Sequence, residues 1–182
     1  MRAERPIPAT MRAAAIDGFG GPERLAIREI VVPAIDPHEV LVAVDTAGVG
    51  VWDAKARKGL WSSGADRFPM VLGADGSGTI VALGDQVRGL QLGDAVYGYA
   101  YGEGKGGFYA EYVALRAEHV APMPPSLDFR EAGGIGVTGI TALAGIDALG
   151  VTAGQTVIVH GATGGVGTIA LQLAKRCGAR VV

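Results

Sequence analysis

The sequence predicts a mixed α/β protein with a β-rich first part and a second part that opens a parallel α/β domain. Two observations predict this class. Short segments of alternating apolar and polar residues, divided by glycine and proline turns, fill the first 130 residues. Beyond them, apolar residues recur at helical spacing, and a β-branched strand, a glycine-rich turn and an amphipathic helix follow one another. We therefore divide the chain into residues 11–130 and 131–182, after a loose extension of residues 1–10.

Composition narrows the classes of function that the chain can serve. Apolar residues make up 49% of its 182 residues, which is enough to bury a core, and the net charge is −2. A nucleic-acid or anionic-membrane surface needs a basic excess that this chain lacks. The opening residues predict no secretory signal, and no apolar run reaches the roughly 18 residues of a membrane helix. We expect a soluble, cytoplasmic protein that binds neither nucleic acid nor a membrane.

Six segments of the first part contain strand candidates. They are MRAAAI, RLAIREIVV, HEVLVAVDTAGV, SGTIVALG, GDAVYGYA and GGFYAEYVALRAEHVAPMP. Strands this short, separated by tight turns, predict a small and strongly bent sheet or a barrel. The segment GADRFPMV contains Pro69, which cannot donate to a sheet ladder, so we expect a loop or a sheet edge there.

The second part begins with helical spacing from Leu127 onward, and Ser126 is the candidate N-cap. Glycines within residues 133–139 favour two short helices over one long helix. Residues 157–159 predict a buried strand of the parallel type. Residues 165–177 predict an amphipathic helix, with basic residues near its C-terminal end and a glycine directly after it.

A glycine-rich turn, GATGGVG, joins this strand to this helix at residues 161–167. Against the dinucleotide fingerprint G-x-G-x-x-G, its register is Ala162, Gly164 and Gly167. Glycines here allow a sharp turn, a close approach of a pyrophosphate and tight helix packing, while helix N-terminal amides bind the phosphates. The predicted cofactor-binding residues of this turn are Ala162, Thr163, Gly164, Gly165, Val166 and Gly167. The alternative is a tight strand–helix turn without a ligand.

The acidic residue that completes the fingerprint is expected about 20 residues after the glycines. Counted from Gly164, that position falls just past Val182. The residue that separates NAD from NADP is therefore outside this sequence. We expect the second domain to be incomplete in this chain, and residues 1–182 alone to bind NADPH weakly.

Several motifs together resemble the medium-chain dehydrogenase/reductase superfamily and, within it, the quinone oxidoreductase group. They are GFGGPE, AGVGVWDAK, PMVLGADGSGTIVALGDQVRGLQLGDAVYGY, GGFYAEYV and VIVHGATGGVG, in this order. The resemblance implies a GroES-like barrel that carries the substrate pocket, followed by a Rossmann nucleotide-binding domain that is truncated in this chain. It implies hydride transfer from NADPH, with NADH not excluded, to a quinone or an enone. It also implies a homodimer at full length.

The resemblance further implies that the protein is independent of zinc. Zinc-dependent members of the superfamily have a cysteine and a histidine where this chain has Gly50 and Ala74. Neither side chain can ligate a metal, and a single cysteine, Cys177, excludes a four-cysteine zinc lobe. The three histidines do not cluster in the sequence; we expect His38 and His119 at the surface and His160 packed at a strand end. Cys177 is expected to be buried and inert.

The resemblance also implies which residues line the substrate pocket. Candidates for the catalytic pocket are Trp52, Asp53 and Tyr97. Each has a structural alternative. Trp52 could be a core tryptophan, and Asp53 could be a cap or make a hydrogen bond within the barrel. Tyr97, like Tyr99 and Tyr101, could be a packing or rim residue. Two departures stand close by, because Gly50 replaces the group's asparagine and Lys55 replaces a pocket tyrosine of some members.

On the cofactor side, Thr141 matches a threonine that contacts the nicotinamide in the family, and its alternative is a bond to its own helix. Two further functions stay open beside the quinone or enone reductase. One is an enoyl-thioester reductase of the same fold. The other is a non-catalytic nucleotide-binding or interaction protein.

Overall fold

The computed structural model describes residues 6–62, 64, 67–100 and 104–182. The chain forms two compact units, residues 1–134 and residues 135–182. Their content of strands and helices confirms the mixed α/β class. Among the described residues no helix is long and apolar enough to cross a membrane.

The first unit is built mainly from strands. These are β1 Thr10–Ile16, β2 Leu25–Val31, β3 Glu39–Ala47, β4 Met70–Val71, β5 Asp75–Leu83, β6 Ala95–Tyr99, β7 Tyr112–Arg116 and β8 Val120–Pro122. Strand β1 begins at Thr10, and the Val32 amide donates to the Ala9 carbonyl. Thr10, which the sequence assigned to a loose extension, is therefore part of the sheet, and Ala9 is hydrogen-bonded to Val32 just before it.

These strands form two antiparallel sheets that meet along β1. One sheet has the order β7-β3-β5-β6-β8, and the other has the order β2-β1-β4. The Ala14 amide donates to the Tyr109 carbonyl at 2.7 Å, and the Glu111 amide donates to the Arg12 carbonyl at 3.1 Å. The strongly bent sheet expected from the short strands is thereby confirmed. Strand β4, which follows Pro69, is a sheet edge as the proline predicts.

The main hydrophobic cluster of this unit packs against the larger sheet. Its apolar side chains pack together there and exclude water. The fully buried members are Val40, Val42, Ile80, Val96, Phe108, Val113 and Leu115. This packing fixes the strands whose ends and connections carry the candidate site.

Two short helices belong to the first unit, α1 at Val51–Arg57 and α2 at Phe129–Gly133. Helix α2 is capped by Asp128, whose carboxylate accepts from the Glu131 amide while Glu131 accepts from the Asp128 amide. The prediction of Ser126 as the N-cap is wrong. Only Asp128 has a glutamate three residues later, which is the reciprocal capping pattern.

The second unit contains α3 Gly136–Ala148, β9 Thr156–Val157, α4 Gly165–Arg176 and β10 Arg180–Val181. The two helices expected around the glycine cluster are α2 and α3, and helix α4 matches the predicted amphipathic helix. Strands β9 and β10 pair in parallel, as predicted. The predicted burial of residues 157–159 is wrong, because Ile158 is 66% exposed beside a sheet of only two strands.

Candidate functional site

A cleft of about 780 Å³ opens in the first unit. Its volume falls within the range of sites that bind small molecules. Aromatic side chains of Phe19, Trp52 and Trp61 line it, together with the carboxylate-bearing Asp53 and the cationic Arg67. The cleft therefore offers broad apolar walls with a few polar groups.

Asp53 is the most highly connected side chain of this cleft. It lies in the first turn of α1 and is 7% exposed. Its Oδ2 accepts from the Gly50 amide at 2.8 Å, and its Oδ1 accepts from the amides of Gly73 and Ala74, each at 3.2 Å. One carboxylate thus joins the start of α1 to the turn between β4 and β5.

Tyr109 adds a further hydrogen bond to this carboxylate. Burial raises the pKa of the Tyr109 hydroxyl, and the charge of Asp53 and its hydrogen bond with the tyrosine raise that pKa further. The tyrosine is therefore protonated at neutral pH and donates its hydroxyl proton to Asp53. The sequence reasoning missed Tyr109, although the motif GGFYAEYV contains it. Tyr109 could have been found from the sequence, because it is a tyrosine within a motif that carries the family resemblance and that also predicts a strand.

The two positions that the sequence resemblance compares with zinc ligands, Gly50 and Ala74, both meet at Asp53. Gly50 and Ala74 contribute backbone amides to its carboxylate. These N–H groups are donors and cannot ligate a metal. Within the described ranges, no group of three histidine, cysteine, aspartate or glutamate side chains is placed to hold a metal ion. The residues present at this position do not fit a catalytic zinc.

Trp52 lies beside Asp53 on α1, half-buried at the wall of the cleft. Its indole covers Gly50 so closely that a Cβ atom on the glycine would lie 2.6 Å from Cδ2 and overlap Cε2 and Cζ2. Lys55 is exposed, with its Nζ atom 5.9 Å from the centroid of the Trp61 ring. Both departures thus adjoin an aromatic residue of the cleft, Gly50 beside Trp52 and Lys55 beside Trp61.

The tyrosines of β6 are less closely tied to the cleft. Tyr97 is half-buried, and the segment reaches the cleft lining through Ala100. Tyr99 stacks on His119 with ring centroids 4.4 Å apart. The prediction of His119 as a surface residue is therefore wrong, since its side chain is only 19% exposed. Tyr101 lies outside the described residues.

The glycine turn lies in the second unit, directly before α4. Gly161 has φ +74°, a left-handed conformation that other residues adopt at a cost, so it makes the sharp turn. Gly167 is buried, and a Cβ there would overlap the Gly161 carbonyl oxygen and lie 2.9 Å from the Ala162 Cα. Helix α4 begins after Gly164 without a side-chain cap. The amides of its first turn are left for a ligand, which suits a pyrophosphate.

The remaining predicted residues of this unit are exposed. Thr141 lies on α3, and its hydroxyl donates to the Val137 carbonyl at 2.7 Å, which is the structural alternative for this residue. His160 is exposed, so its predicted packing at a strand end is wrong. Cys177 caps the end of α4 and is exposed, so its predicted burial is wrong.

Comparison with known proteins assigns this architecture to a family. The family described as alcohol dehydrogenase GroES-like domain matches residues 36–125. The chain is 39% identical to a quinone oxidoreductase of Homo sapiens over 175 residues. The chain belongs to the medium-chain dehydrogenase/reductase superfamily. Residues 36–125, within its first unit, match the GroES-like domain, and its second unit carries the glycine turn.

Two further proteins are similar to the chain. The structure of a quinone oxidoreductase from Coxiella burnetii is 32% identical and superposes with a TM-score of 0.85, covering 94% of this chain and 55% of that one. A highly-reducing polyketide synthase of Aureobasidium melanogenum is 42% identical over 76 residues, which is 41% of this chain and 4% of that protein. The human match covers 94% of this chain and 52% of that protein. The chain thus spans about half the length of the quinone oxidoreductases it matches.

Proposed function

We propose that the protein is an NADPH-dependent, zinc-independent oxidoreductase that transfers hydride to a quinone or an enone. The observation that carries the proposal is the glycine turn at residues 161–167, whose Gly161 turns sharply and whose Gly167 leaves no room for a side chain. Such a turn before an uncapped helix suits a dinucleotide pyrophosphate. The 39% identity to the human quinone oxidoreductase supports the acceptor class.

The second unit would hold the cofactor. The first-turn amides of α4, at Gly165, Val166 and Gly167, would bind the pyrophosphate, and the hydroxyl of Thr141 has lone pairs left to accept from the nicotinamide carboxamide. When bound, NADPH supplies the hydride, and the protein supplies position and electrostatics. The backbone of the glycine turn, rather than any charged side chain, is the main binding group.

The first unit would hold the acceptor in its aromatic cleft. Asp53 is a positioning residue in this scheme, because its carboxylate accepts from three amides and from Tyr109. It fixes the backbone on which Trp52 stands. Reduction of the acceptor forms one C–H or O–H bond from the hydride and takes one proton from water in the open cleft. No metal is needed to polarise a conjugated carbonyl whose product anion is delocalised.

The test is cofactor oxidation by the whole protein with 9,10-phenanthrenequinone as acceptor, followed at 340 nm with NADPH and separately with NADH. We expect turnover that is faster with NADPH. Gly167→Ala should abolish it, because the added methyl overlaps the Gly161 carbonyl oxygen. Gly145→Ala is the matched control, since a Cβ at that helix position meets no atom within 4 Å. Cofactor binding without oxidation by any acceptor would refute an enzymatic role and favour a nucleotide-binding protein.

One observation favours a second candidate, an enoyl-thioester reductase of the same fold. It is the 42% identity to a segment of a protein named a highly-reducing polyketide synthase. Crotonyl-CoA in the same assay separates the two. Turnover of crotonyl-CoA with a higher kcat/KM than any quinone would establish the thioester reductase instead.

A further inference from the structure

Gly50 and Trp52 compete for the same space at the wall of the cleft. A Cβ atom built on Gly50 would lie 2.6 Å from the Trp52 Cδ2 and would overlap Cε2 and Cζ2. Contacts shorter than about 3 Å between carbon atoms are strongly repulsive, so one of the two groups would have to move. The indole therefore occupies the volume that a side chain at position 50 would otherwise fill.

Packing alone holds the indole in this place. In the part of the chain that the structure describes, its buried Nε1–H donates to no protein group. No protein hydrogen bond has to break when the ring turns, so a single methyl group at position 50 is enough to displace it. The ring is half-buried and also lines the cleft, so the space open to a displaced ring is the cleft itself.

We propose that Gly50 and Trp52 form a coupled pair that determines which acceptors the cleft takes. The glycine makes room for the indole, and the indole then forms a flat wall that favours fused-ring acceptors over single-ring ones. Fused rings gain more from offset stacking on an indole because they overlap more of its face. Phe19 and Trp61, on the same cleft, extend the aromatic lining. The inference rests on the proposed function, since the acceptor is the molecule reduced there.

Steady-state kinetics tests the pair. The quantity measured is the ratio of kcat/KM for 9,10-phenanthrenequinone to kcat/KM for 1,4-benzoquinone. Trp52→Val removes the wall and should lower this ratio roughly three- to tenfold, the range of an aromatic stacking contact. Gly50→Ala should lower it by a similar factor, because the displaced indole enters the cleft. Gly18→Ala is the matched control, as a Cβ at Gly18 meets no atom within 4 Å, and should leave the ratio unchanged.

The double variant decides whether the two residues act together. In a Trp52→Val background, Gly50→Ala should cause no further loss, because the ring that it displaces is gone. Losses that multiply in the double variant would overturn the coupling, as would a Gly50→Ala protein with the wild-type ratio. Should Gly50→Ala alone fail to fold, the double variant should fold again; if it also fails, the coupling is refuted. Trp52→Phe, which keeps a flat ring, should retain more of the preference than Trp52→Val.

A binding measurement separates this inference from the proposed function. The chain has two tryptophans, so in a Trp61→Phe background the fluorescence reports Trp52 alone. Titration with 9,10-phenanthrenequinone, without NADPH, should quench the Trp52 fluorescence. Gly50→Ala should raise the Kd of the quinone roughly three- to tenfold. If Gly50→Ala raises the Kd in this way but the protein oxidises no NADPH, the Gly50–Trp52 coupling is supported and the proposed reductase activity is refuted. If the protein oxidises NADPH but Gly50→Ala leaves the Kd unchanged, the reductase activity is supported and the coupling is refuted.

Discussion

At the scale of single residues, Asp53 shows how one carboxylate organises a site. Its two oxygens accept from the amides of Gly50, Gly73 and Ala74, and Tyr109 donates to it as well. Two of these amides belong to Gly50 and Ala74, the positions that the sequence resemblance compares with zinc ligands. The carboxylate therefore joins the same two chain segments in this protein through hydrogen bonds.

Removing this carboxylate should destabilise the first unit. We expect Asp53→Ala to lower the free energy of unfolding by roughly 3 kcal/mol, since it leaves buried amides without acceptors. Asp53→Asn retains one carbonyl oxygen and should cost about half as much. Tyr109→Phe, which removes one donor, should cost about 1 kcal/mol. Urea unfolding measures all three, with the exposed Asp85→Ala as the control. Equal free energies of unfolding for Asp53→Ala and Asp85→Ala would show that the Asp53 carboxylate does not stabilise the first unit.

At the scale of elements, helix α2 depends on its cap. It has only five residues, too few for helical propensity to sustain it, and a reciprocal capping box closes its first turn. The Ser77 hydroxyl also donates to the Phe129 carbonyl at 2.6 Å. The helix is thus held at its start by its own sequence and along its side by strand β5.

Two substitutions should distinguish the true cap from the serine that the sequence first suggested. Asp128→Ala should lower the free energy of unfolding by about 1 kcal/mol, because the Glu131 amide loses its acceptor. Ser126→Ala, at an exposed position before the helix, should change it by less than about 0.5 kcal/mol. Thermal or urea unfolding measures both. A larger loss from Ser126→Ala would reverse the assignment of the cap.

At the scale of the whole molecule, the two sheets of the first unit are joined where β1 meets residues 109–111. Glu111 reinforces this junction, because its carboxylate accepts from the Arg12 amide and from the Arg12 guanidinium, at 2.8 Å in each case. The hydrogen bond from the Arg12 amide, and then that from its side chain, lower the pKa of Glu111. The junction is therefore expected to weaken in acid.

The lowered pKa of Glu111 determines whether stability rises or falls with pH. Stability from Glu111 is complete above the pKa of the unfolded state, about 4.5, and is lost as pH falls through the lower folded-state pKa. Because the side chain is 43% exposed, solvent limits the effect to less than about 1 kcal/mol. Urea unfolding at pH 7 and at pH 3 should show a smaller pH-dependent loss in Glu111→Gln than in the wild type. Adding Arg12→Met to that variant should change the pH dependence no further; an unchanged wild-type loss in Glu111→Gln would contradict the prediction.

Much of the fold follows from local patterns in the sequence. Alternation predicted the strands at β1, β2, β3, β5 and β6, and Pro69 predicted an edge at β4, because these depend on side-chain period and on a missing amide proton. Helix α4 was predicted almost to its ends, because its glycines and basic residues mark helix termini. The order of the motifs identified the superfamily, because each motif is a local pattern in the sequence. What failed locally was the prediction of Ser126 as the cap, although the capping pattern of Asp128 and Glu131 was present in the sequence.

The sequence by itself determined the mixed α/β class, the glycine turn and the family, because each depends on residues that are close along the chain. Only the tertiary structure decided what surrounds each side chain. It brought Tyr109 to Asp53 across 56 positions, stacked His119 on Tyr99, exposed His160 and Cys177, and laid Trp52 over Gly50. Burial and contact between distant segments arise from the packing of sheets and helices, and no local period encodes them.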